Sequence, residues 1–246
     1  MSARTTSAGP GELDREWLAR AASSIRHPLT RALLVLTFTT GLVDAVSFLG
    51  LGRVFTANMT GNIVFLGFGI AGSGGLPVLA PLISLASFLL GAGGGGVLAD
   101  RIGDRHREHV ARALAIEVSL LAVAAVLAAA VDVRPNTASG DVVIALLAFA
   151  MGVRNATVRR IGVPDLTTTV LTMTLTGLAA DSTPAGGDGK GSVRRIAAVL
   201  AMFSGALAGA LLLKTSLVLP LIAAAGLALA TWLVYVPAAR RGALSA

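Results

Sequence analysis

Cysteine is absent from this 246-residue chain, aromatic residues are 4%, charged residues 13%, and there are three histidines. Without a thiol there is no disulfide, no thiolate metal site and no cysteine nucleophile. His106 and His109 are three apart in an expected loop, but no third ligand accompanies them, so no metal site is expected. No serine has a neighbouring base, and neither a phosphate-cradling Gly-x-x-x-x-Gly-Lys nor a dinucleotide fingerprint occurs. No catalytic set or cofactor is therefore expected, the chain is not read as an enzyme, and ATP-driven transport by it alone is not expected. The 20 Lys and Arg outnumber the 13 Asp and Glu, giving a net charge of +7. They lie in short loops between apolar runs with little aromatic company. That suits membrane topology rather than a nucleic-acid partner.

What the chain has is hydrocarbon. Hydrophobic residues are 54% and the mean hydropathy is +0.79. Eight apolar segments follow one another at about 31–50, 56–71, 77–99, 110–131, 141–160, 166–180, 194–213 and 217–236. Six approach the roughly 20 residues that cross a bilayer. The second and sixth are short and rich in Thr, Asn and Gly. The expected class is an all-α integral membrane protein with the lipid bilayer as its surroundings. Ahead of the first segment, Leu13, Trp17, Ala21 and Ile25 recur every fourth residue, with Arg15, Arg20 and Arg26 off that stripe. This pattern predicts an interfacial helix ended by Pro28, or a solvated terminus, and does not suit a signal peptide.

An internal repeat governs how the segments are counted. Gly41-x-x-Asp44-Ala45 aligns with Gly152-x-x-Asn155-Ala156, Met59-Thr60 with Leu171-Thr172, and Gly91-Ala92-x-x-Gly95 with Gly205-Ala206-x-x-Gly209. The offsets grow from 111 through 112 to 114, as small loop insertions produce. If all eight segments crossed, the two repeats would be parallel; if the short ones are re-entrant or broken half-helices, the second repeat is inverted. Six crossings leave Arg53, Arg134 and Lys214 on one side and the other 17 of the 20 basic residues opposite. The positive-inside rule prefers that arrangement. The expectation is six transmembrane crossings plus two short half-helices in an inverted internal repeat, with both termini cytoplasmic. It divides the chain into an N-terminal tail 1–30, repeat one at 31–131, a linker 132–140, repeat two at 141–237 and a C-terminal tail 238–246.

Chemistry concentrates between Gly41 and Asn62. Asp44 stands inside an apolar span, which costs several kcal/mol unless it faces protein or water. Ser47 lies one turn on. After a break at Gly50 and Gly52, Asn58, Thr60, Gly61 and Asn62 open a short second helix, whose free N–H groups and dipole suit a ligand. The run Gly41-x-x-Asp44-Ala45 with Phe55-x-Ala57-Asn58-Met59-Thr60-Gly61-Asn62 resembles the YoaK family of bacterial integral membrane proteins. That resemblance implies a polytopic inner-membrane protein with no established substrate. A shorter stretch, Gly96-x-x-Ala99-Asp100-Arg101-x-Gly103, is similar to a cytoplasmic loop motif of major facilitator transporters, with Asp104 where that motif has a base.

The candidate solute-binding residues are Asp44, Ser47, Asn58, Thr60, Gly61 and Asn62 from the first repeat and Asn155, Thr168, Thr169 and Thr172 from the second. Arg154 is the candidate charge partner of Asp44, although it can also snorkel toward Arg159 and Arg160. The leading expectation is a secondary transporter or exporter of a small polar or anionic solute, proton-coupled through Asp44. A passive channel and a non-transporting scaffold are the alternatives. Six crossings resemble half of a twelve-span transporter, which makes a homodimer an expectation.

Overall fold

A computed structural model describes residues 26–162 and 171–244, and their regular elements are all helical. We number the α-helices α1 (Pro28–Ala45), α2 (Met59–Ile70), α3 (Leu79–Ile102), α4 (His106–Ala130), α5 (Ala138–Ile161), α6 (Leu171–Ala180), α7 (Ser192–Leu213) and α8 (Val218–Leu244). A π-helical turn, Val46–Gly50, continues α1. Among the described residues six helices have the length and hydropathy of a membrane span, at 22 to 25 residues each. At 1.5 Å per residue they are about 33–38 Å long, enough to cross hydrocarbon about 30 Å thick. By the same rise α2, with 12 residues, reaches only about 18 Å, and the 10 described residues of α6 cover about 15 Å. The expected interfacial helix lies largely in residues 1–25, outside the described residues.

Local sequence sets the boundaries. Pro28 takes the first position of α1, where its missing N–H costs nothing, and His27 Nδ1 accepts the amide of Leu29 at 3.3 Å. Thr137 caps α5 by accepting the Gly140 amide at 3.3 Å. Gly162 closes α5 in the left-handed conformation at φ 64°. At its far end α8 runs through Pro237 and on to Leu244, past the start of the expected C-terminal tail at 238. The segment 110–131 also grows at its start, because α4 begins at His106.

Packing repeats between the halves. α1 lies along α7 as α3 lies along α5; α1 meets α8 as α5 meets α4; α4 and α8 pair; α2 rests on α3 as α6 rests on α7. The glycines of the sequence repeat make the closest approaches. A Cβ at Gly41 would stand 2.6 Å from the Ala206 nitrogen and against the Met202 carbonyl; one at Gly152 would stand 2.7 Å from the Ala92 nitrogen and against the Phe88 carbonyl. Likewise a Cβ at Gly209 would be 2.8 Å from that of Ala45, and one at Gly95 would be 2.9 Å from that of Ala156. The enclosed helices are α1 and α5, whose apolar windows are 72% and 61% buried, against 22% for α3 and 17% for α7.

Loops carrying the three minority cations share one end. Gly52 lies against Pro135 and Asn136, and Gly50 against Leu213 and Leu217, so the turns bearing Arg53, Arg134 and Lys214 are neighbours. At the opposite end Arg107 Nη1 donates to the Ala239 carbonyl at 3.4 Å, joining the start of α4 to α8.

Candidate functional site

Asp44 is the penultimate residue of α1 and is 6% exposed. Its Oδ1 accepts the backbone N–H of Thr56 at 3.1 Å and of Ala57 at 3.0 Å. Asp44 lies six residues before the end of the π turn, so these bonds draw the following loop back below the end of the span. From there α2 starts at the half-buried Met59. Ser47 Oγ donates to the Asp44 main-chain carbonyl at 3.3 Å, one turn back along its own helix, and leaves the carboxylate to the loop.

Asn62 makes a second clasp. Its Oδ1 accepts the Phe55 amide at 2.9 Å, while Nδ2 donates to the Phe55 carbonyl at 2.6 Å and to Ser84 Oγ of α3 at 3.1 Å. Ser84 in turn donates to the same carbonyl at 2.7 Å. An amide side chain can mimic both halves of a backbone pair, which is why Asn suits this position. Phe48, Phe55 and Phe65 close over the loop, with ring centroids 4.9 Å apart for Phe48 and Phe55 and 5.8 Å for Phe55 and Phe65. Gly61 is held small by Phe55: a Cβ there would sit 2.8 Å from its ring. Asp44 and Asn62 are thus committed to positioning the dipping loop, whereas Asn58 and Thr60, at the start of α2, are exposed.

In the second repeat Asn155 Nδ2 donates to the Met151 carbonyl at 2.8 Å. Thr172 is exposed and its carbonyl accepts Thr176 Oγ1 at 2.9 Å. Thr168 and Thr169 lie outside the described residues. The other end of α6 is anchored by Arg195 of α7, which donates to the Gly177 carbonyl at 2.6 Å and to Asp181 at 2.7 Å.

The ion pair of Arg154 differs from the expected one. Glu117 of α4, not Asp44, faces it: Nε donates to Glu117 Oε2 at 2.8 Å and Nη2 to Oε1, in a two-pronged pair. Nη1 donates to Thr40 Oγ1 at 2.6 Å and to the Leu36 carbonyl at 2.7 Å; Nη2 also reaches Thr39 Oγ1 at 3.1 Å. All five guanidinium donors are therefore used, and the side chains of the pair are 2% and 1% exposed. Arg154 does not snorkel, because every acceptor it needs is supplied inside the bundle. Asp44 stands one helical turn beyond Thr40, near this pair but bonded elsewhere.

A family model described as protein of unknown function (DUF1275) matches residues 32–234. The chain belongs to this family. Over 168 residues it is also 35% identical to the UPF0700 transmembrane protein YoaK of Bacillus subtilis (strain 168), which covers 65% of this chain and 68% of that protein. The expected membership of the YoaK family is borne out. No solved structure matches.

Sequence reasoning about this DUF1275 chain did not single out Glu117, the carboxylate that answers Arg154. Arg112 pairs with Glu108 on its own helix. The signal was present: Glu117 is the only acid in 110–131, and Arg154 is the only base of its span before Arg159. Two opposite charges, each alone in hydrocarbon, have strong reason to meet. His109 was placed in a loop outside the membrane; it is buried on the inner face of α4, with Nε2 3.4 Å from Thr157 Oγ1. Thr39, Thr40 and Ser84 carried no sequence signal, since hydroxyls in apolar helices commonly bond only the preceding turn.

Proposed function

We propose that the chain is a secondary transporter or exporter of a small polar or anionic solute in the bacterial inner membrane, proton-coupled through Asp44. The observation that carries this reading is the buried Asp44 carboxylate holding the Thr56 and Ala57 amides. As an anion it is a strong acceptor and pins the loop that launches α2. Protonation removes the charge, weakens both bonds by a factor of about two and frees the loop. A bilayer-depth carboxylate tied to a short helix has the make-up of a gate whose position follows a proton.

Three crossings per repeat invert the second half relative to the first, so the short helices dip from opposite faces. The end bearing Arg53, Arg134 and Lys214 faces outward, and both termini are cytoplasmic. Asn58 and Thr60 contribute free polar groups to the first entrance, Thr172 to the second. A homodimer would supply twelve crossings.

Proteoliposomes enclosing a pH-sensitive dye, presented with a metabolite library, test this reading. The wild type is expected to move protons only with particular solutes, and Asp44→Asn to abolish that movement while the protein stays folded. A channel predicts solute flux without proton movement, unchanged by Asp44→Asn. A scaffold predicts no flux, and no effect of Asn58→Ala or Thr60→Ala on binding.

A further inference from the structure

We infer that Arg154 is the receptor for an external oxyanion of the carboxylate class, and that Glu117 is the internal ligand this anion replaces. The inference rests on the transporter reading for its purpose but on separate residues for its geometry. A buried ion pair is a poor source of stability, because well-packed apolar residues serve as well or better. An ionisable pair inside membrane helices points to function by default. The arrangement already binds a carboxylate: Glu117 occupies the guanidinium fork through both oxygens, and Thr39, Thr40 and the Leu36 carbonyl fix the plane from α1. An incoming carboxylate meets the same donors in the same geometry.

Charge fixes what accompanies it. With the anion on Arg154, an ionised Glu117 would be left unpaired in hydrocarbon, at a cost of several kcal/mol. Glu117 therefore takes one proton from solution as the anion enters. The site holds one positive and one negative charge before and after, and the proton and the anion arrive together. A void of about 20 Å³, with Glu117, Arg154 and Thr157 in its wall, adjoins the pair. The neutral head of Glu117 turns into it.

Other titratable groups around Glu117 are few. α5 presents Arg154; α1 presents Asp44, one turn past Thr40; α4 itself carries His109, two turns back. From α8 the titratable group is Tyr235, packed with Val110 and Leu114, and α3 carries Asp100 and Arg101 at its exposed end. Apart from Arg154, none of these takes a bond to Glu117, so its proton is distinct from the one at Asp44.

Equilibrium binding of radiolabelled acetate, lactate and benzoate to the full chain in nanodiscs tests this without requiring transport. At least one probe is expected to bind wild type more tightly by about tenfold per pH unit of acidification, the slope of one linked proton. Glu117→Gln is expected to remove that slope and bind tightly at neutral pH, and Arg154→Lys to lose saturable binding. Asp44→Asn should keep the slope. Should Glu117→Gln not fold, Thr40→Val tests the same site, leaving the ion pair and weakening binding several-fold at an unchanged slope. No pH-linked binding of any probe overturns the inference, as does a slope lost in Asp44→Asn and kept in Glu117→Gln. Binding as expected with no proton movement in proteoliposomes would sustain the oxyanion site and sink the transporter reading alone.

Discussion

Removing the carboxylate of Asp44 is expected to loosen one loop before anything else. The side chain accepts two main-chain donors, at 3.1 and 3.0 Å, in a place where Asp44, Thr56 and Ala57 are all buried. A hydrogen bond to a charged group contributes about 1.5–3 kcal/mol net, and an unsatisfied buried donor costs a similar amount. Asp44→Ala, which strands both amides, should therefore destabilise the protein by about 3–6 kcal/mol. Asp44→Asn keeps an acceptor oxygen in nearly the same place and should cost about 1–2 kcal/mol. Unfolding in detergent gives the totals, and amide hydrogen exchange places them. Protection at Thr56 and Ala57 should fall by about tenfold for each 1.4 kcal/mol, ahead of any change in the interior of α1. If Asp44→Ala costs under about 1 kcal/mol, or if exchange at those amides is unchanged, the carboxylate is not what holds the loop.

Three further expectations follow from the same contacts. Arg154→Met and Glu117→Leu should each cost about 3–5 kcal/mol by stranding a buried charge. The double variant should recover most of that, because Thr39 and Thr40 still donate to the Leu36 carbonyl at 2.8 and 2.9 Å; additive losses in the unfolding cycle would contradict this. Gly41→Leu and Gly152→Leu should each cost at least about 1–3 kcal/mol, since a side chain there meets the backbone of the neighbouring helix. Gly93→Leu, in α3 with nothing within 4 Å, should be neutral or stabilising, so equal effects in a thermal-unfolding series would refute the close-approach account. Because the chain has no native cysteine, Asp104→Cys and Asn136→Cys can each be labelled alone. In whole cells an impermeant maleimide should reach Asn136→Cys and not Asp104→Cys, and labelling of both would overturn the orientation.

The segments legible in the sequence were those set by hydrocarbon length. Runs such as 194–213 and 217–236 reappear as α7 and α8 because a helix in lipid must satisfy its own backbone. Less legible was the difference between a polar residue offered to a ligand and one spent on architecture. Asn58 and Asn62 stand four apart in one hexapeptide and read alike. Only Asn62 lies where the Phe55 backbone and Ser84 need a partner.

Composition and spacing alone determined the membrane class, the six long and two short helices among the described residues, and the matched glycines of the two halves. These follow from local rules: how far a helix reaches across lipid, and which residues leave room beside it. Which charge answers Arg154 was decided only in three dimensions. Glu117 is 37 residues away, on another helix, and the hydroxyls that complete the fork come from α1, 114 and 115 residues away. A buried guanidinium settles where packing brings together enough acceptors to replace water, and no property of its own segment says which helices those are.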